Sequence, residues 1–574
     1  MLSPAIVTAL DAVWAGATAD SVETETLELK QQPAGPLKGI WRLLADAALC
    51  FANHLGGTVI IGVSDRVPGP AAFAGSELDP DTVKRRVWEL TEPRLVVSVE
   101  QAQYRGVGLV VIDVPQSPDI HADTKGSAPR RIGTSCIPMT PREQDHLRDE
   151  KQGIDWSAQP SRRSTGAISP RALEAVRERL RRYPDARAAL SRFADEELVS
   201  ALGLTARPGM LNRAGARLLT APAESDPQVV YQFRPTPGSE PVAVVRLAEP
   251  LVVAYERVLE LVEARNDAIT VQLERGAQVE IFDFPPLAIE EAVANALIHR
   301  DFRLRGPVVV DHSPQVLSIT SPGPLVYGVT RENILTHRSK PRNPALTSAA
   351  RLMRLAEEVG QGVDRMYRAT ISSGRTIPTI ESGLDSVVVA FAGGAPNRRL
   401  VTFVAEYLPA EEQQDVDTLL TLATLLTQRT IEAGRLAPTV QKSVAATETV
   451  LRRLADEQTG FIEPTRGTHR KTNPRYRLRT EALQALGPAV AYNRRTEDEI
   501  DRKVIGHVRE YGRIKNKTAR DLFDVDVQKA KEILSDLVSR GILTKSGQGQ
   551  RGPGVEYVAG PSFPAARRAT PRLD

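Results

Sequence analysis

The hydrophobic pattern changes period repeatedly along the chain. Residues 26–30 (TLELK) alternate and predict a short strand, whereas 37–55 (LKGIWRLLADAALCFANHL) carry helical spacing. TVIIGVSD at 58–65 is β-branched, and 95–100 and 106–114 predict two more strands joined at Tyr104-Arg105-Gly106. Residues 21–140 therefore predict an α/β domain with its own core. Residues 151–169 are polar and patternless and predict a linker. Helices are expected around 170–220, strands at VVYQF and VAVVRL, and a long helix over 250–265. A second α/β unit follows. Pro285-Pro286 opens the helix LAIEEAVANALIHRDF, since proline suits the first helical position. The strands GPVVVDH and QVLSIT, the turn SPGPL, a helix across 345–370 and the strand DSVVVAF complete it.

Residues 400–490 and 496–560 predict two related modules. Each has helices, a short apolar strand, a glycine-rich or basic turn and a second strand. In the later one, three helices (498–512, 518–525 and 527–541) precede a β-wing over 542–559. The expected organisation is thus an N-terminal α/β domain (1–150), a linker (151–169), a lead-in of helices and strands (170–279), a central α/β domain (280–395), two winged-helix modules (400–490 and 496–560) and a disordered tail (561–574). This is a multidomain α/β plus winged-helix fold class.

Composition narrows the class little. The chain has 574 residues, 41% hydrophobic and 25% charged, as in ordinary globular proteins. Its formal charge is only +3, so any nucleic-acid surface must be local. No apolar run reaches about 18 residues, which argues against a membrane span. The first 20 residues lack a basic segment and are expected to form a helix, not a signal peptide. The two cysteines, Cys50 and Cys136, stand at no metal-like spacing. That argues against a disulfide framework or zinc ribbon and fits a reducing, cytoplasmic compartment.

Candidate chemistry begins with Glu23, Glu28 and Asp65. Clustered carboxylates can hold a divalent ion that activates water and neutralises a phosphoryl oxygen. Five residues separate Glu23 from Glu28, so a regular strand would turn them to opposite faces. A shared site needs a break between them. The surrounding motif is Glu23-x-Glu25-x-x-Glu28-Leu29-Lys30, then Phe51-Ala52-Asn53-x-x-Gly56-Gly57-x-x-x-Ile61-Gly62-Val63-x-Asp65. It resembles the Schlafen-type Alba-like domain. The resemblance implies nucleic-acid binding and, in some members, metal-dependent RNA cleavage by three carboxylates, here Glu23, Glu28 and Asp65, with Mn²⁺ or a similar ion.

In the central unit, Glu291, Asn295 and His299 recur every four residues and share one helical face. Phosphate and Mg²⁺ would account for polar groups on a helix that is otherwise apolar. Downstream stand Gly323 in SPGPL, Arg342-Asn343-Pro344, and Gly360 and Gly362 in a segment whose bare amides suit a phosphate. Together these blocks resemble the gyrase and histidine-kinase ATPase superfamily, in a helicase-related branch that accompanies Schlafen-type domains in bacterial regulators. The resemblance implies an α/β sandwich that holds ATP or ADP with Mg²⁺. Glu291 and Asn295 would serve the metal and phosphates, Gly360 and Gly362 the phosphate lid, and His299, Gly323 and Arg342 further contacts. The superfamily's adenine-reading Asp-x-Gly-x-Gly is replaced here by Ser321-Pro322-Gly323-Pro324-Leu325. No Gly-x-x-x-x-Gly-Lys-Ser/Thr occurs, which excludes a P-loop motor.

The C-terminal modules carry basic clusters. Arg466, Arg470, Lys471 and Arg475 crowd the first wing, where phosphate neutralisation is expected. Lys515 and Lys517 precede a helix, and Gln528, Lys529 and Lys531 lie near the start of the expected recognition helix. Lys545 and Arg551 sit in the second wing. The reading that emerges is an ATP-binding regulator that binds nucleic acid, DNA before RNA, as a homo-oligomer. An endonuclease using the three N-terminal acids is the alternative, and an assembly scaffold with both sites vestigial is the third.

Overall fold

A computed structural model describes residues 2–32, 38–65, 67–182, 185–356, 362–383, 385–456, 460–465, 468, 471, 473–491, 497–523, 525–546 and 555–564. The chain divides into two compact units. One comprises Met1–Val401, Ala410–Leu419 and Ala437–Ser443, and the other Thr402–Pro409, Leu420–Leu436 and Val444–Asp574. The division runs through the expected 400–490 module.

In the first unit, an N-terminal four-stranded sheet has the order Leu27–Lys30, Gly57–Ile61, Val107–Val114, Ser98–Tyr104. The first pair is parallel and the rest antiparallel. Alternation along these strands puts Val59, Ile61, Val110 and Ile112 on one face, under the helices Lys38–Ala52 and Pro80–Leu90. Leu27, Leu29, Ile60 and Leu109 face the other way, against Leu10, Val13 and Phe73. The two-sided burial explains why the central strands read as continuous apolar runs.

Cys50, on the first of these helices, and Cys136, in the strand Ser135–Pro138, are joined as a disulfide with Cα atoms 5.9 Å apart. This corrects the expectation drawn from cysteine count. Eighty-six residues separate the pair, so spacing carried no sign of it; packing of the strand against the helix creates it.

The central sheet has six strands in the order Ala243–Leu247, Val229–Phe233, Val308–His312, Val316–Pro322, Ser386–Ala392, Thr379–Ser382. Two of its strands come from the region expected as a lead-in. One hydrophobic core runs from Ala172 to Phe391, so 170–279 and 280–395 fold as one body. The helices Leu251–Glu263 and Pro286–Ile298 contribute to that core. The helix expected over 345–370 is two, Pro344–Leu352 and Gly362–Ser372.

The expected linker is structured. Pro160–Ser164 pairs with Met210–Asn212 in a small sheet, and Trp156 stacks on Phe302 at 5.5 Å. PSRRS lacks apolar alternation because most of the strand is exposed. The helix Pro141–Gln152 starts with a capping box. Thr140 Oγ1 accepts from Glu143 N–H, while the Glu143 carboxylate accepts from Thr140 N–H.

In the second unit, Ile462–Pro464 pairs with Tyr476–Leu478. Further on come the helices Glu497–Tyr511, Asn516–Phe523 and Val527–Ser539, with a three-stranded sheet of Ile514–Lys515, Glu556–Ala559 and Leu543–Ser546. Val504, Val508, Phe523, Ala530, Leu534 and Leu537 form its core. Of the expected tail, 561–564 lie among the described residues and 565–574 outside them.

Candidate functional site: a polar cavity and an acid cluster

The Pro286–Ile298 helix begins with proline at its first position and ends at His299, whose N–H donates to Asn295 O. Asn343 closes the same end, its Nδ2 donating to Ile298 O and Arg300 O at 2.8 and 2.9 Å. This satisfies carbonyls that a helix terminus leaves open. Ser321 Oγ donates to Ala296 O at 2.7 Å, which ties the adjoining strand to the helix. Between them lies a cavity of about 180 Å³. Asn295, His299, Ser321 and Gly323 line it with His337, Lys340 and Gly362, over apolar walls that include Ile319, Met366 and Val389.

Burial pushes the His299 imidazole down to about 4, with Arg342 and Arg351 adding to the effect, so it is neutral at pH 7. Gly323 turns at φ +100°, where side chains are strained. A Cβ there would overlap the Arg342 guanidinium and lie 2.7 Å from the Asp301 Cβ.

Arg342 therefore does not line the cavity; it backs the turn from behind. Its Nη2 donates to Pro324 O at 2.7 Å and meets Glu150 at 3.2 Å, and its Nη1 lies 3.4 Å from Asp301. Arg303 joins the same group, at 2.9 Å from Asp301 and 3.3 Å from Asp149. Burial alone would raise Asp301, but the Arg303 hydrogen bond and the Arg342 charge outweigh it and hold the carboxyl below its ordinary range. Asp149 and Glu150 belong to the capped helix of the N-terminal domain. A buried ionic network thus runs from that domain to the Gly323 turn.

Glu291 is buried, and its Oε1 accepts from Arg365 Nη1 at 2.7 Å. Gly362 packs so closely that a Cβ would lie 2.7 Å from Glu291 Oε2 and 3.3 Å from Asn295 Nδ2. The expected Mg²⁺ needs an open octahedral shell with several waters. A cavity lined by cations and neutral polar groups fits a nucleotide, whereas the Glu291 carboxylate expected at the ion is already taken by Arg365. Gly360 lies outside the described residues.

At the N-terminus the needed break is present. Glu23 ends the short helix Ala19–Val22, and the strand begins only at Leu27. Glu23 Oε1 accepts from Leu29 N–H at 2.9 Å. Glu28 takes Lys30 Nζ at 2.9 Å and Arg131 Nη1 at 2.5 Å, and Arg131 is fully buried. Burial opposes the charge on Lys30, but Glu28, Glu23 and Asp65 together raise it above its ordinary value. Glu23 itself is raised by burial. Of the three acids, Glu28 is in contact with Lys30, and the charges of Glu23 and Asp65 also act on that lysine. Among the described residues no group of three or more acidic, histidine or cysteine side chains is placed to hold a metal, so Mn²⁺ there is not supported.

Of the C-terminal candidates, Gln528, Lys529 and Lys531 are exposed on the Val527–Ser539 helix, opposite buried Ala530, Leu534 and Leu537. Asp526 caps this helix, accepting from Lys529 N–H at 2.7 Å. Lys529 also pairs with Glu532 at 3.1 Å. Lys517, Lys545 and Lys471 are exposed. Lys515 pairs with Glu556 at 3.0 Å and Arg475 with Glu432 at 3.3 Å. Arg466, Arg470 and Arg551 lie outside the described residues. No helix among the described residues is long and apolar enough to cross a membrane.

The sequence reading missed Arg131, Arg365, Asp301 and Glu150. Arg365 stands three residues after Gly362 and was the one within reach of local inspection.

Two domain classes emerge from comparison. Residues 23–140 match the family model described as "Schlafen, AlbA_2", and 306–391 match the one described as "Putative ATP-dependent DNA helicase recG C-terminal". These matches suggest a nucleic-acid-related, ATP-binding function, with ATP and Mg²⁺ suggested by the second. Among solved structures, the DIP2311 protein from Corynebacterium diphtheriae is similar over 96% of this chain and 99% of its own, with 22% identity and a TM-score of 0.53, a likeness of fold. No curated protein matches the chain.

Proposed function

We propose that the chain is a nucleotide-responsive regulator that binds nucleic acid, DNA before RNA. A purine nucleotide, ATP or ADP, occupies the cavity beside Asn295, and the occupied state changes how the N-terminal domain and the basic C-terminal elements hold the nucleic acid. The Val527–Ser539 helix and its flanking strands are read as a winged helix, with Gln528, Lys529 and Lys531 facing the major groove and Lys545 the backbone. The hairpin around Lys471 and Arg475 is read as a second wing, and the working form as a homo-oligomer.

The observation that carries this reading is the Glu150–Arg342–Pro324 connection. One arginine holds both the N-terminal domain's helix and the turn that forms the cavity wall. Coupling two sites requires an element that both can bias.

The test is reciprocal. Duplex DNA and single-stranded RNA affinities are measured by anisotropy with and without ATP, and ATP affinity by calorimetry with and without the nucleic acid. The expected result is one coupling factor in both directions, absent in Asn295→Ala. Equal nucleic-acid affinity with and without saturating ATP would overturn the reading.

A second reading is nuclease action through Glu23, Glu28 and Asp65, favoured by the negative charge that all three bring to Lys30. Incubation with labelled tRNA, single-stranded and duplex DNA, with and without Mn²⁺, tests it. Cleavage lost in Glu23→Gln supports it; binding without cleavage under every metal removes it.

A further inference from the structure

A polyphosphate in this cavity needs compensating positive charge. Glu291 and Asn295 are the described oxygen donors beside Gly362 from which a divalent ion could draw, and the geometry places an internal cation there. Arg365 already neutralises Glu291 at 2.7 Å. Gly362 backs onto the same carboxylate: a Cβ there would lie only 2.7 Å from Glu291 Oε2, and 3.3 Å from Asn295 Nδ2. A hydrated Mg²⁺ introduced at this point would set two further positive charges beside a guanidinium. If Arg365 left to make room, the largely shielded ion pair would break and leave the Glu291 carboxylate without that partner.

No carboxylate is among the cavity's described lining residues, and two cations, Arg338 and Lys340, are. Lys340 Nζ donates to Tyr327 O at 2.8 Å and lies 4.9 Å from that ring, so it is held at the wall. Arg338 is exposed at the rim.

We infer that the cavity takes a nucleoside polyphosphate without a divalent metal: the Arg365–Glu291 pair closes the ion's position, and Arg338 and Lys340 meet the phosphate charge. The inference rests on the nucleotide reading above and deepens it. Glu291 then acts as an anchor for the Gly362–Ser372 helix and not as a metal ligand.

Calorimetric titration of ATP into the full chain, in Mg²⁺ and in EDTA, decides the matter. The expected dissociation constants agree within about threefold, less than 1 kcal/mol apart. Arg338→Ala/Lys340→Ala should weaken binding about tenfold or more in both buffers, the scale of lost charge-assisted hydrogen bonds. The Lys340 change gives up the bond to Tyr327 O, so the double variant should melt slightly below the parent, whereas Arg338→Ala alone should match it. Binding about tenfold or more tighter in Mg²⁺ than in EDTA overturns the inference while leaving the nucleotide reading in place. An unchanged affinity in the double variant also overturns it. Absence of binding in both buffers overturns the nucleotide reading and this inference with it.

Discussion

Glu150 and Arg342 meet at 3.2 Å, one from the capped helix of the N-terminal domain and the other from behind the Gly323 turn. Both side chains are largely shielded, and Arg342 keeps Asp301 as a second partner. Glu150→Ala removes one of two counter-charges, so the loss should fall below that of an orphaned buried ion, at about 2 kcal/mol. Thermal unfolding checks this. If the coupling route is right, the same variant keeps its ATP affinity within a few-fold but loses the effect of ATP on nucleic-acid binding.

Gly323→Ala tests the turn directly. The position combines a left-handed φ with contact to Arg342 and Asp301. Backbone strain of about 1–3 kcal/mol is expected, with displacement of the guanidinium in addition. The variant should melt several degrees lower and bind ATP weakly. An unchanged melting temperature would show that the turn relaxes without involving Arg342.

How much of this could be read beforehand depends on whether the signal was local. The Pro286–Ile298 helix, with its proline start and four-residue spacing of Glu291 and Asn295, needed no distant partner to be recognised. The strands around Val59, Val230 and Val309 were legible for the same reason. The strand Pro160–Ser164 was not, because its exposed polar residues carry no period. The partners that give the sites their charge state were hidden as well. Arg131 reaches Glu28 from 103 residues away, and Arg365 reaches Glu291 from 74. The spacing suggested metal ligands, whereas the fold supplied an arginine to Glu28 and to Glu291. A helix end and a turn separate Glu23 from the strand that carries Glu28, a break that their spacing required but could not itself supply.

That pairing shapes how the N-terminal acids must be tested. Arg131 is fully buried and bonds Glu28, Thr24 O at 2.9 Å and Leu27 O at 3.4 Å. Glu28→Ala strands a buried guanidinium, with an expected loss of about 3–5 kcal/mol. Glu23→Gln keeps the acceptor for Leu29 N–H and should cost less than about 1 kcal/mol. Chemical denaturation of the two variants should separate them by at least about 2 kcal/mol. Loss of activity in Glu28→Ala is therefore interpretable only beside Glu23→Gln.

Acid should destabilise the central domain through His312. The imidazole is fully buried among Phe233, Phe284 and Tyr231, with Nδ1 at 2.9 Å from the Tyr231 hydroxyl. Burial pushes its pKa down to about 4, and the charge on Arg265 adds to this. The unfolded chain binds the proton near pH 6.5, so between about 6.5 and 4 the unfolded state holds more protons than the native one. Stability is fully expressed above that window and falls as pH drops through it, by about 2 kcal/mol at pH 5 for this group. His299, shifted the same way, adds to the parent's slope. His312→Asn should be less stable than the parent at pH 7. Its further loss between pH 7 and pH 5 should be smaller by about 2 kcal/mol. Denaturation midpoints of both proteins at the two pH values supply the comparison, and parallel losses would show that His312 does not carry this part of the acid sensitivity.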